Sequence, residues 1–532
     1  MFKVLVSDPI SDLGIQKLVD ADDVVVEKKI GLSEEELIQI IPEYDGLLVR
    51  SQTTVTDKIL AAGERLKVVG RAGVGVDNIN LEAATQRGII VINAPDGNTI
   101  TTCEHAFAMM MALARHIPQA YAKTVSGVWD RKSFLGVELH HKTLGVLGMG
   151  RIGSEVAKRA KAFGMEVLGF DPFLTEERAE KMGITLASVD DIVRNADFIT
   201  VHTPLTPETR GIISTDQFAV MKKGMRIINC ARGGVIDENA LVEAVNQGIV
   251  AGAAFDVFEH EPPQPDHPFL NNPKIIVTPH LGASTVEAQE NVAIDVSEQV
   301  LHILRDEPFK NAVNIPPVAP SVMSKLQPYF VLGEKLGTVA AQITNAAIQE
   351  IVVNYAGDLS EVDTQPLTRH ILKGVLSRHF GSDVNIVNSM HLAKARQVNI
   401  VVSKSATTKG FTNLISVALK LENGEESIVG GTLLAGYGER IVQINKFTVD
   451  LEPTGHLIYI SHHDKPGIIG KVGTLLGNND VNIAAMQVGR KTVGGEAIMV
   501  LSVDKEVPKK VLEELVQLPE VNTAQEIALL SK

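Results

Sequence analysis

The segment Leu144-Gly145-Val146-Leu147-Gly148-Met149-Gly150-Arg151-Ile152-Gly153 constrains this chain more than any other stretch. A short apolar run ends in G-x-G-x-x-G and opens an amphipathic stretch with Ile152, Val156, Ala160 and Phe163 on one face. In a chain with 44 glycines the triplet alone would say little. Placed between a strand and a helix, it is the fingerprint of a dinucleotide-binding βαβ unit. Gly148 permits the tight turn, Gly150 lets the backbone approach a pyrophosphate, and Gly153 lets helix and strand pack closely. The helix that begins at Arg151 and Ile152 then points its free N–H groups at the phosphates. The following strand pattern ends at Asp171, 23 residues beyond Gly148 (171 − 148). A carboxylate there accepts hydrogen bonds from ribose hydroxyls and repels a 2′-phosphate. Pro172 and Phe173 follow it, with no Arg, so NAD is the expected cofactor rather than NADP.

Around this unit, apolar runs alternate with helical patterns from Phe2 to about Gly282, which predicts doubly wound parallel sheets. A first series holds Val4-Leu5-Val6, Gly46–Val49, Lys67–Val69 and Ile89–Ile92; a second starts at Thr143. Long helix patterns at Thr101–Arg115 and Thr285–Leu304 bracket the second series, so it reads as a domain inserted into the first, with the two helices as hinge. Met109-Met110-Met111 within the first helix reads as core packing. Pro316, Pro317 and Pro320 mark a linker, followed by a mixed region with a helix pattern over Lys325–Ala347. The tail reads β-α-β-β-α-β, a ferredoxin-like order. At roughly 150 residues per domain, 532 residues suit this division into four.

The formal net charge of −14 argues against nucleic-acid binding and requires a locally basic pocket for any anionic substrate. Two cysteines, Cys103 and Cys230, exclude a disulfide framework. With no apolar run of the ~18 residues a membrane span needs, and no signal-peptide pattern at Met1–Asp8, a cytoplasmic, membrane-free protein is expected. No ligand spacing for a metal surrounds His462-His463, so no metal is expected.

In parallel sheets, ligands bind beyond the carboxyl ends of the strands. Those ends carry His202-Thr203-Pro204, Cys230-Ala231-Arg232-Gly233-Gly234, Asp256 with Glu261 beyond it, and Pro279-His280-Leu281-Gly282-Ala283-Ser284. Arg232, Glu261 and His280 suit oxidation of an alcohol beside a carboxylate. An Arg fork binds the carboxylate, a His takes the hydroxyl proton, and a Glu fixes the far ring nitrogen. Each also has a plainer reading, as a turn Arg, a solvated loop Glu and a satisfied core His.

These segments resemble the D-isomer-specific 2-hydroxyacid dehydrogenase family in its long form, and the resemblance spans essentially the whole chain. It implies His280 as proton donor and acceptor, Glu261 as its partner and Arg232 as the carboxylate ligand. It implies NAD contacts at Val74, Arg151, Ile152, Asp171, Thr203, Cys230, Ala231, Arg232, Asp256, His280, Gly282 and Ala283, with Asp256 on the nicotinamide carboxamide. Arg50, Ser51, Arg71 and Gly73 resemble the family's substrate loops and would take 3-phosphoglycerate, with Arg131 reaching a neighbouring subunit's site. The expected architecture is a Rossmann cofactor domain (99–282) inserted into a flavodoxin-like substrate domain (1–98 and 283–316). An α+β intervening domain (317–452) and an ACT domain (453–532) follow. The ACT resemblance implies L-serine as effector at His462, Asp464 and Asn482, and a homo-oligomer, a tetramer. Turnover of another D-2-hydroxy acid, or NAD sensing of the corepressor type, are the alternative readings.

Overall fold

The computed structural model describes residues 1–529. Its first sheet is wholly parallel, in the order Val24–Lys28, Phe2–Val6, Gly46–Val49, Val68–Arg71, Ile90–Asn93. This is the flavodoxin-like order. Helices cover both faces, so central strands such as Gly46–Val49 are buried along their whole length, which explains their continuous apolar runs.

The second sheet is also parallel, with the order Ile275–Val277, Val250–Phe255, Met225–Asn229, Phe198–Val201, Thr143–Leu147, Glu166–Phe170, Thr185–Leu186. The order reverses between Thr143–Leu147 and Phe198–Val201, and that switch point opens the crevice where a dinucleotide lies. Thr185–Leu186 was not expected: both residues are exposed at the sheet edge, where burial imposes no apolar pattern.

The hinge helices run over Thr99–Arg115 and Val286–Leu304, the latter capped by the Thr285 side chain, which accepts from Ala288 N–H. They belong to different cores. Cys103, Ala106, Met109, Met110 and Leu113 pack with Leu144, Val146 and Ile228 under the second sheet. Val292, Ala293, Val296 and Val300 pack with Val4, Val6, Leu48 and Val68 under the first. The helices meet where Thr101 and Thr285 hydroxyls lie 3.3 Å apart.

The expected helix over Lys325–Ala347 is instead broken into Pro320–Leu326, a 3₁₀ turn Gln327–Tyr329, and Phe330–Gln342. Pro328 has no N–H to continue the ladder, and its ring forces the break. A mixed six-stranded sheet follows, and then the four-stranded antiparallel sheet Ile483–Arg490, Glu496–Val503, His456–His463, Val521–Ala528. One face of the final sheet packs Ile458, Ile460, Met499 and Leu501 against Val472, Leu476, Val511 and Leu515 in a core of its own, and the other face shares a core with the preceding unit. Leu457, Tyr459, Ile498, Val500 and Ile527 from the final sheet join Leu332, Leu336 and Val339 in one buried cluster. Gln342 also exchanges two hydrogen bonds with the Ala528 backbone.

A shared core makes the two units depend on each other. A chain ending at Glu452 should lose slow amide exchange over Leu332–Ala341, measured by hydrogen–deuterium exchange. Unchanged protection there would show that the intervening unit folds without the tail.

Candidate active site

Each glycine of the fingerprint meets a different constraint. Gly148 has φ +92, and a Cβ there would sit 2.7 Å from the His202 carbonyl oxygen. A Cβ on Gly153 would overlap the Gly148 carbonyl. Beside Gly150, the N-cap of the helix Arg151–Ala162, a Cβ would meet nothing within 4 Å. That open space at a helix N-terminus, with its free N–H groups, fits a pyrophosphate. Asp171 lies at the end of the next strand, where its carboxylate accepts from Met149 N–H at 2.9 Å and Phe173 N–H at 2.8 Å. Thr203 presents a buried hydroxyl with no partner among the described residues, beside the Gly148 turn. His202 is half-buried, its Nε2 2.9 Å from the Thr200 hydroxyl; desolvation pulls it down to about 4, so it is neutral. These features fit NAD.

The catalytic candidates converge at the carboxyl ends of the same sheet. His280 Nδ1 lies 2.7 Å from Glu261 Oε2. Burial opposes charge on Glu261, but His280 and the Phe258 N–H outweigh it and hold its carboxyl below the usual range. An ionised carboxylate only accepts, so Nδ1 carries the proton and Nε2 keeps a lone pair. His280 has φ +55, a backbone state costing roughly 1–3 kcal/mol for a non-glycine residue. Its N–H donates to the Asp256 carbonyl at 2.9 Å.

Asp256 sits beneath this loop with no exposed side-chain surface. Its carboxylate accepts from the Thr278 hydroxyl (2.6 Å), Leu281 N–H (2.7 Å) and Gly282 N–H (2.8 Å). His105 Nε2 lies 3.2 Å from the same carboxylate. Oδ1 thus takes Thr278 and Leu281, whereas Oδ2 takes Gly282 N–H. Donor atoms of His105, Cys230 and Asp256 lie within 4.8 Å of one another. Burial pushes the Cys230 thiol well above its ordinary range, so it stays protonated. Neither His105 nor Thr278 stood out in the sequence, since a His inside a helix and a Thr at a strand end are common.

Across the cleft, the substrate-domain loop after Val68–Arg71 brings in positive charge. Arg232 Nε lies 3.4 Å from Asp77, and a Cβ on Gly75 would overlap the Arg232 fork. A Cβ on Gly73 would likewise overlap Arg71 Nη1. Burial, with Arg232 and Arg50 nearby, draws Arg71 down to about 10. Its Nε is buried without a partner among the described residues. Arg50 Nη1 reaches the Pro9 carbonyl at 3.3 Å, and its N–H donates to Asp8 at 2.6 Å. Ser51 is exposed beside it. Val74 accepts from Asn93 through its carbonyl. Arg131 is exposed.

The three effector candidates do not meet within one chain. His462 is buried, with Nδ1 3.0 Å from the His463 carbonyl. Asp464 accepts from Arg490 at 2.8 Å, which holds its carboxyl low, and Asn482 donates to Asp504 at 2.7 Å. His463 pairs with Glu496, whereas Ile483 pairs with Val503, so Asp464 and Asn482 stand at opposite ends of the sheet.

Three family models match the chain: the NAD binding domain of D-isomer specific 2-hydroxyacid dehydrogenases over 107–282, the D-3-phosphoglycerate dehydrogenase intervening domain over 325–445, and the ACT domain over 456–520. The D-3-phosphoglycerate dehydrogenase of Bacillus subtilis is 48% identical over 99% of this chain and 100% of its own length. That of Methanocaldococcus jannaschii is 45% identical over 99% and 100%. Among solved structures, a D-lactate dehydrogenase from Aquifex aeolicus, complexed with NAD and lactic acid, matches with TM-score 0.52 and 28% identity. It covers 57% of this chain and 96% of its own.

The Asp171 position generates a direct test. Asp171→Ala should weaken NAD binding and narrow the preference for NAD over NADP, both read from steady-state kinetics. Unchanged cofactor kinetics would remove Asp171 from the ribose site.

Proposed function

The chain belongs to the D-3-phosphoglycerate dehydrogenases of the D-isomer-specific 2-hydroxyacid dehydrogenase family, and from that premise we propose how its residues oxidise 3-phospho-D-glycerate to 3-phosphohydroxypyruvate. It is an NAD-dependent oxidoreductase. The observation that carries the reading is the 2.7 Å His280–Glu261 pair, which lies with Arg232 at the carboxyl ends of the cofactor sheet.

Arg232 binds the substrate carboxylate through its fork and polarises the carbonyl that forms at C2. Arg71 and Arg50 take the phosphate. NAD, when bound, would supply the acceptor for the hydride that leaves C2. His280 Nε2 takes the C2 hydroxyl proton, and Glu261 stabilises the imidazolium that results. In the reverse direction the same imidazolium returns the proton. Gly148, Gly150, Arg151, Ile152 and Gly153 would hold the pyrophosphate, Asp171 the adenosine ribose, and Thr203, Ala231, Gly282 and Ala283 would line the rest of the cofactor site.

We divide the chain into 1–98 with 283–316, 99–282, 317–452 and 453–532, a division supported by one sheet within each unit. A cytoplasmic, homotetrameric enzyme under control of its ACT domain completes the reading. Among the described residues no helix is long and apolar enough to cross a membrane. The helix Ile117–Val125 buries no residue and exposes Ile117, Tyr121 and Val125, with Trp129 beyond it, a surface suited to a second copy. Arg131 follows that surface, within reach of a partner's site. With Asp464 and Asn482 at opposite ends of one sheet, a serine bridging both would join two chains. Asp464 is an anion for its amino group, and Asn482 offers a donor and an acceptor. Serine then inhibits only by favouring one hinge state over the other.

His280→Ala should lower kcat on 3-phosphoglycerate by at least ~100-fold while NADH still binds, the scale of a lost general base. Normal kcat in that variant would refute the assignment, and equal turnover of unphosphorylated glycerate by the wild type would refute the substrate. L-serine should slow the wild type, and Asn482→Ala should remove that inhibition while leaving uninhibited kcat within about a factor of two. A wild-type rate indifferent to serine would mean that the ACT domain serves assembly alone.

A further inference from the structure

The hinge helix Thr99–Arg115 presents two polar side chains one turn apart, Thr102 and His105, to the loop that carries His280. The Thr102 hydroxyl donates to the Gly282 carbonyl at 3.0 Å. His105 Nε2 lies 3.2 Å from the Thr278 hydroxyl and 3.2 Å from Asp256 Oδ1. Asp256 in turn holds the loop from below. Its carboxylate takes Leu281 N–H and Gly282 N–H, and its backbone carbonyl takes the N–H of His280 itself. His280 needs such restraint, because its φ of +55 is unfavourable for a residue with a Cβ.

We propose that His105 is a positioning residue for the oxidation: it donates through Nε2 to the buried Asp256 carboxylate, and that carboxylate fixes the His280–Gly282 main chain in the geometry the reaction needs. The inference rests on His280 as the proton acceptor. Its physical basis is the cost of a buried carboxylate that lacks a donor. Removing one donor leaves an uncompensated acceptor, and the remaining partners must shift toward it. Those partners are the loop itself. Asp256 is held ionised despite its burial, in part by His105 and Thr278, which agrees with the geometry. The coupling also runs along the hinge helix, so the proton acceptor and the hinge share one hydrogen-bonded network.

The test compares His105→Leu, which removes the donor, with His105→Gln, whose amide nitrogen can stand where Nε2 stood. Substrate is 3-phosphoglycerate with saturating NAD. His105→Leu should lose at least ~10-fold in kcat, with the Kd for NADH, read by fluorescence, within about threefold of wild type. His105→Gln should recover most of the loss. Should His105→Leu not fold, Thr278→Val carries the same readout, because it removes another donor to the same oxygen. Its kcat should fall by a similar factor, with the Kd for NADH again within about threefold of wild type, and a normal kcat in Thr278→Val overturns the proposal as well. Normal kcat in His105→Leu, or an equal loss in the Leu and Gln variants, overturns the proposal. His280→Ala is the control: if it is inactive while His105→Leu is normal, only the positioning role falls. If His280→Ala is itself normal, the assignment of His280 falls, and the positioning role falls with it.

Discussion

A carboxylate buried away from water has to be surrounded by donors, because the desolvation of one ion costs several kcal/mol. Asp256 is such a group, and its partners come from two places: Thr278, Leu281 and Gly282 on the loop after Ile275–Val277, and His105 on the hinge helix. The constraint therefore draws together a sheet strand, a hinge helix and the loop of His280. Glu261 then has a stationary ring nitrogen to meet at 2.7 Å, and the lone pair on Nε2 has a defined place. The position of His280 is set by the fold beneath it more than by its immediate neighbours.

Electrostatics of the opposite sign shape the other wall. In a chain of net charge −14, Arg232, Arg71 and Arg50 are close enough for their mutual repulsion, added to burial, to draw Arg71 down. Like charges this close are unfavourable until an anion separates them. Asp77 offsets part of the repulsion by its contact with Arg232. A substrate with both a carboxylate and a phosphate would relieve it further, which ties the substrate class to a strain already present between the two domains. The arginines come from opposite sides of the cleft, so the same anion favours its closure.

Much of this could be read from residue order because periodicity and glycine spacing report burial and backbone state. Both parallel sheets, the inserted domain, the hinge helices and the ferredoxin-like tail follow from apolar runs and their spacing. Arg232, Glu261 and His280 were found at strand ends because parallel sheets gather ligands there. What was not legible depends on contacts between distant segments. The roles of His105 and Thr278 arise only when a helix near residue 100 meets a loop near residue 280. The donors that Asp256 collects from Thr278, Leu281 and Gly282 are likewise invisible until the loop folds over it. The strand Thr185–Leu186 carries no apolar signal, and the core shared by the last two units joins segments more than a hundred residues apart. The Pro328 break is different: its signal was in the sequence and was outweighed by the helical pattern on either side.

The central claim is that hydrogen leaves C2 of the substrate as hydride while His280 removes the hydroxyl proton. It can be followed directly with 3-phospho-D-glycerate deuterated at C2. Mass spectrometry of the nucleotide after turnover with NAD should show one deuterium in each NADH formed, and a primary isotope effect should appear on the hydride-transfer step in a single turnover. Deuterium recovered in water, or NADH formed without label, would contradict the account.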